Sequence, residues 1–131
     1  MLTSSLLKLD LLILIFVLFC NSAIENIQHF FWECPDVDTI WKQTQRNLLK
    51  DCVNLTDRDI ILGRVDVETR KYNFVILYAK YYIYICKWKE CKPIYTGLIN
   101  FLKYNRNIEE TIATRNNNLE KCNKKWSTIS M

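Results

Sequence analysis

Three residues of this chain, Cys20, His29 and Cys34, have both the side chains and the spacing to hold a metal ion. They form the pattern C-x8-H-x4-C. Thiolate and imidazole suit zinc, and the loop between them is short enough to bring three ligands to one tetrahedral ion. A structural zinc site takes four ligands. The position that would complete a C-x2-C pair, three residues before Cys20, is Val17, and Cys52 is a further sulfur beyond the next predicted helix. The spacing by itself leaves open whether the three residues share an ion or are unrelated thiols and a histidine.

Catalytic patterns are scarce. His29 is the only histidine, so any Ser-His-Asp or Cys-His arrangement has to use it. No serine lies in a G-x-S-x-G elbow, and two glycines in the whole chain are too few for a phosphate-cradling loop. The reading is therefore of a protein that is not an enzyme and has no small-molecule substrate.

A second group of residues has the chemistry of nucleic-acid contact. Lys80, Lys87, Lys89 and Lys92 are interleaved with Tyr81, Tyr84 and Trp88, and Lys121, Lys124 and Lys125 follow near the end. Lysines meet phosphates and aromatic rings stack on bases. The competing account makes the aromatics core and the lysines its solvated rim, and for the aromatics that account is preferred. Charge is divided unevenly: residues 1–63 carry 5 Lys/Arg against 8 Asp/Glu, and residues 64–131 carry 13 against 6. A basic second half is compatible with RNA, DNA or an anionic surface.

The elements that must position these side chains are helices. With half the residues hydrophobic and only two Gly and two Pro, the chain has material for a core but few tight turns, which disfavours a β-sandwich or barrel. Val37 to Lys50 is predicted as an amphipathic helix with Val37, Ile40, Trp41, Thr44 and Leu48 on one face. Thr56 is placed as the N-cap of a short turn that Gly63 ends. Tyr72 to Trp88 is predicted as a helix that is apolar nearly all round, with Asn73, Lys80 and Lys87 forming one narrow polar stripe; the alternative is a strand through Tyr82-Ile83-Tyr84-Ile85. Pro93 closes it. Ile94 to Lys103 and Ile108 to Trp126 are predicted as two further helices, the second with Ile112, Leu119 and Trp126 seven apart and Asn116, Asn117 and Asn118 weakening its centre.

The amino terminus permits two compartments. Leu11 to Phe19 is an uninterrupted apolar run, shorter than the roughly 20 residues of a membrane span but of the length of a signal-peptide core. Asn21-Ser22-Ala23 would then be the cleavage site; cleavage there removes Cys20, and the five remaining cysteines could form two disulfides and leave one free thiol. In that case Asn54-Leu55-Thr56 is a glycosylation sequon. Otherwise the run is an apolar helix or unrelated sequence.

Glu25-Asn26-Ile27-Gln28-His29-Phe30-Phe31-Trp32-Glu33-Cys34-Pro35, followed by Val37 and Ile40-Trp41, resembles the zinc-binding region at the end of LINE-type, non-LTR retrotransposon reverse transcriptase polyproteins. The likeness continues through Asn73 to Tyr84, then at Ile112-Ala113-Thr114, Leu119-Glu120-Lys121 and Lys124-Lys125-Trp126, and so covers about residues 20 to 126. It implies Cys20, His29 and Cys34 as zinc ligands, with Val17 departing from the family's first cysteine, and a tail that helps hold RNA or DNA during reverse transcription. The family's Ala-Asp-Asp polymerase turn and endonuclease carboxylates are absent from this sequence.

The expectation is thus an all-α protein, a small irregular helical bundle preceded by an apolar amino-terminal helix and a short Cys/His segment. Residues 1–19 form the apolar segment and 20–131 the helical tail. Its expected function is that of a non-catalytic remnant of a reverse transcriptase carboxy-terminal region, intracellular, binding RNA or DNA. The alternative is a secreted helical protein with disulfides, or one anchored to a membrane through Leu11–Phe19.

Overall fold

The computed structural model describes residues 31–32, 34–49 and 54–131. The apolar segment, Cys20, His29 and Cys52 therefore lie outside the described residues. Those that are described form an all-α fold of five α-helices: α1 (Pro35–Asn47), α2 (Asp57–Leu62), α3 (Asn73–Trp88), α4 (Tyr95–Arg115) and α5 (Leu119–Trp126), with a 3-10 turn (Arg70–Tyr72) leading into α3. The one β-type pairing among them is an antiparallel bridge between Leu49 and Ile129.

Local chemistry sets most helix ends. Pro35 opens α1, where its missing N–H costs nothing, and Asp36 and Asp38 in the first turn complement the helix dipole. All five residues assigned to the inner face of this helix, Val37, Ile40, Trp41, Thr44 and Leu48, are buried. Trp41 also donates its indole N–H to the Phe31 carbonyl and so fixes the chain that enters α1. At α2 the Asp59 N–H donates to Thr56 Oγ1 at 3.3 Å and the Thr56 N–H to Asp59 Oδ2 at 3.0 Å, a reciprocal capping box. Gly63 ends this helix at φ +82°, ψ 165°, a region open in practice only to glycine.

α3 is the most deeply buried helix, burying Val75, Ile76, Tyr78, Ala79, Lys80, Ile83 and Cys86. α4 runs antiparallel to it: Ile94 donates its N–H to the Tyr82 hydroxyl at 3.2 Å, the Phe101 ring meets Tyr78, Tyr81 and Tyr82, and Glu109 meets Tyr78. α5 then folds back on α4, and Trp126 packs edge-on against Phe74 with ring centroids 5.1 Å apart. Beyond α5 the chain returns to α1, where Ser130 donates its N–H to the Leu48 carbonyl at 3.1 Å. One hydrophobic core runs from Phe31 to Ile129.

Two expectations are corrected. The helices expected over Ile94–Lys103 and Ile108–Trp126 are instead divided after Arg115. The 103–108 segment lacks proline and glycine, and Arg106 pairs with Glu110 one turn on at 3.0 Å, so nothing interrupts it. The break falls in the asparagine run, where Asn117 takes φ +57° and the Asn118 N–H closes on the Ala113 carbonyl at 2.7 Å. Asparagine tolerates this left-handed cap better than most residues. The polar stripe on α3 is likewise not solvated along its length. Asn73 is consumed by the Arg64 backbone, accepting from its N–H at 2.7 Å and donating to its carbonyl at 2.9 Å, and Lys80 is 3% exposed.

Candidate nucleic-acid interface

The seven lysines singled out in the sequence fall into three environments. Lys80 is inside the bundle and engaged there, so it presents no cation at the surface. Lys87 is half-buried on the last turn of α3, and Lys89 and Lys92 follow it on the exposed link to α4. Lys92 Nζ lies 3.7 Å from Asp36 Oδ1, with both side chains largely exposed. A pair of that kind contributes little and yields readily to another anion. Lys121 and Lys124 are exposed on α5. Lys125 is occupied: its Nζ donates to Glu109 Oε1 at 2.7 Å and sits 4.9 Å from the centre of the Phe74 ring.

The fold therefore gathers the lysines into two groups rather than one patch. Lys87, Lys89 and Lys92 sit at the carboxy-terminal end of α3, whereas α5 packs on Phe74 and Tyr78 near its beginning. α3 has 16 residues, so about 24 Å of helix separates its ends.

Of the interleaved aromatics, Tyr81 packs against Phe101, as the core account holds. Trp88 does not fit that account. It is 78% exposed and lies nearly parallel to Tyr84, with ring centroids 6.3 Å apart and 21° between planes. A tryptophan displayed this way, on a tyrosine and between Lys87 and Lys89, offers one free π-face beside two cations. The available signal was its place as the last ring before the charged stretch from Lys89 to Lys92; it is the final residue of α3, two beyond the last buried one, Cys86. Tyr104 on α4 is also exposed and was not singled out.

Next to this end of α3 an open cleft of about 280 Å³ separates the start of α1 from the start of α4, lined by Asp36, Thr39, Gln43, Lys92, Tyr95 and Thr96. It mixes both signs of charge and several hydroxyl or amide groups with the apolar surfaces of Pro35, Ile40, Pro93 and Ile94.

Of the three candidate zinc ligands only Cys34 is described. It is the N-cap of α1, where its carbonyl accepts from the Val37 and Asp38 N–H groups at 2.9 and 3.0 Å. Its half-buried side chain makes no capping hydrogen bond, so the sulfur is not committed to the helix end. Among the described residues no group of three or more His, Cys, Asp or Glu could hold a metal ion. Cys34, Cys86, Cys91 and Cys122 are free thiols. Asn54 of the sequon is exposed. No described helix is long and apolar enough to cross a membrane.

Comparison of the chain with protein-family models, with curated proteins and with solved structures found no match.

Proposed function

We propose that this chain is a non-catalytic helical module that holds single-stranded RNA or DNA, of the kind that ends LINE-type retrotransposon polyproteins. The observation that carries this reading is Trp88, 78% exposed, backed by Tyr84 and flanked in sequence by Lys87 and Lys89, with Lys92 beyond. Base–aromatic stacking contributes about 1–3 kcal/mol per base and tolerates any sequence. Neighbouring lysines add the phosphate contacts that make such binding salt-dependent. In the same reading Cys20, His29 and Cys34 hold a structural zinc ion at the entry to α1, and the protein works inside the cell. The Cys34 thiol, which makes no helix-capping bond, suits that role, and the zinc would supply no chemistry beyond anchoring the segment.

The test is fluorescence anisotropy with labelled oligouridine and oligothymidine at several salt concentrations. Trp88→Ala is expected to weaken binding roughly 5- to 150-fold, the equivalent of one lost stack. Lys89→Ala should reduce the salt slope by about 0.7, one single-strand phosphate contact. Binding that ignores both salt and Trp88 would instead favour a protein-docking role. Native mass spectrometry of the chain and of His29→Ala tests the zinc.

A further inference from the structure

The link from α3 to α4 places two cysteines at the paired positions of one helix-ending motif. Glu90 takes φ +56°, its N–H donates to the Lys87 carbonyl at 3.1 Å, and the Cys91 N–H donates to the Cys86 carbonyl at 2.8 Å. This is a Schellman ending, and in it the two residues joined by the outer bond are those whose side chains meet. Here both are cysteine. The Cys86 thiol has the Cys91 thiol and the Tyr82 hydroxyl as hydrogen-bond neighbours, and both cysteines are free. Cys86 is buried and Cys91 exposed.

We infer that Cys86 and Cys91 form a reversible disulfide site that reacts with small-molecule disulfides of the glutathione class. The inference stands independently of nucleic-acid binding, although the ring it closes contains Lys87, Trp88, Lys89 and Glu90. A direct backbone hydrogen bond, 2.8 Å from the Cys91 nitrogen to the Cys86 oxygen, holds the two residues side by side, and a disulfide spans roughly 4.4–6.8 Å between α-carbons.

Exposure sets the order of events. Cys91 gives its proton to solvent and its thiolate attacks one sulfur of oxidised glutathione. The glutathione S–S bond breaks, and one glutathione leaves and takes up a proton. Cys86 then gives up its proton and attacks Cys91 Sγ, which releases the second glutathione as its thiol. Two protein thiols are oxidised, one glutathione disulfide is reduced to two thiols, and the protons balance. Burial pushes the Cys86 thiol up, which keeps it from reacting first; in the second step its position beside Cys91, not its acidity, favours the attack.

The experiment treats the full chain with oxidised glutathione, blocks residual thiols and maps tryptic peptides by mass. Trypsin can cut after Lys87 and Lys89, inside the ring, so the bond appears as a joined pair of peptides bearing Cys86 and Cys91. Its formation should be about tenfold or more faster in the folded chain than in urea. Cys91→Ser, at an exposed position, should abolish it, and Cys86→Ser should stop at glutathione bound to Cys91. Cys91 that stays glutathionylated in the unaltered chain, Cys86 joined to another cysteine, or equal rates in urea would each overturn the inference.

Discussion

The Tyr78 hydroxyl donates to the Glu109 carboxylate, 31 residues further along the chain. The same carboxylate accepts from Lys125 at 2.7 Å, so α3, α4 and α5 share one polar junction beneath the Trp126 ring. Burial and the adjacent Glu109 charge both push the Tyr78 phenol above its usual 10.0.

That junction predicts alkaline sensitivity. Burial also raises the Cys86 and Cys122 thiols above their usual 9.0. A group whose folded pKa exceeds its unfolded value adds stability that is complete below the unfolded value and lost as pH rises toward the folded one. Stability should therefore hold up to about pH 9 and then fall, as the unfolded chain ionises first at Cys86 and Cys122 and above pH 10 at Tyr78. Urea midpoints at pH 7, 9 and 11 measure this, and a midpoint that rises from 9 to 11 would falsify it. Tyr78→Phe should cost about 1 kcal/mol at pH 7 and flatten the loss above pH 10.

Two buried polar atoms, Thr44 Oγ1 and Trp126 Nε1, have no hydrogen-bond partner among the described residues. An unmet buried group costs about 1–3 kcal/mol. Thr44→Val keeps the shape and removes the hydroxyl, so it is expected to raise stability by about 1 kcal/mol. Trp126→Phe should come out near neutral, because lost area is offset by the removed N–H, while Trp126→Ala should cost about 3–5 kcal/mol. Thermal melts of the three variants rank them, and a destabilised Thr44→Val would point to a partner for that hydroxyl.

At Gly97 two effects oppose each other. Alanine is favoured over glycine inside a helix by about 1 kcal/mol. A Cβ there, however, would stand 2.1 Å from the Tyr82 hydroxyl oxygen and 2.9 Å from its ring carbon Cζ. The ring has to move, which breaks the bond from the Ile94 N–H and opens the α3–α4 contact. Gly97→Ala is expected to destabilise by about 1–3 kcal/mol despite the better propensity. Urea unfolding at neutral pH checks the sign.

Lys124 and Lys125, neighbours on α5, should differ in their contribution to stability. Lys125→Ala removes the ion pair to Glu109 and the cation over Phe74, so the melting point should fall by the equivalent of about 1–3 kcal/mol. Lys124→Ala touches neither; it should leave the melting point unchanged within about 0.5 kcal/mol. Equal melting points for the two would show that the Lys125 contacts to Glu109 and Phe74 contribute nothing.

Much of the fold is written locally. The buried face of α1, the Thr56 cap, the Gly63 stop and the extent of α3 each follow from a few neighbouring residues, because spacing, capping and φ preference act over one or two turns. The α4–α5 boundary was harder, since Asn116 to Asn118 can end a helix or merely weaken it. What settles the matter is Trp126, which gains its place against Phe74 and Tyr78 only if the chain reverses there.

The candidate site divides the same way. The sequence by itself determined that the second half is basic, that aromatics and lysines alternate near Trp88, and that two cysteines lie five residues apart. Which lysines reach water was decided by packing: Lys80 and Lys87 share a helical stripe, yet Lys80 falls where the bundle closes over α3 and Lys87 near its open end. Trp88 is exposed and Trp126 buried for the same reason. Side-chain chemistry is identical in each pair, and burial depends on what the rest of the chain lays across that stretch of helix.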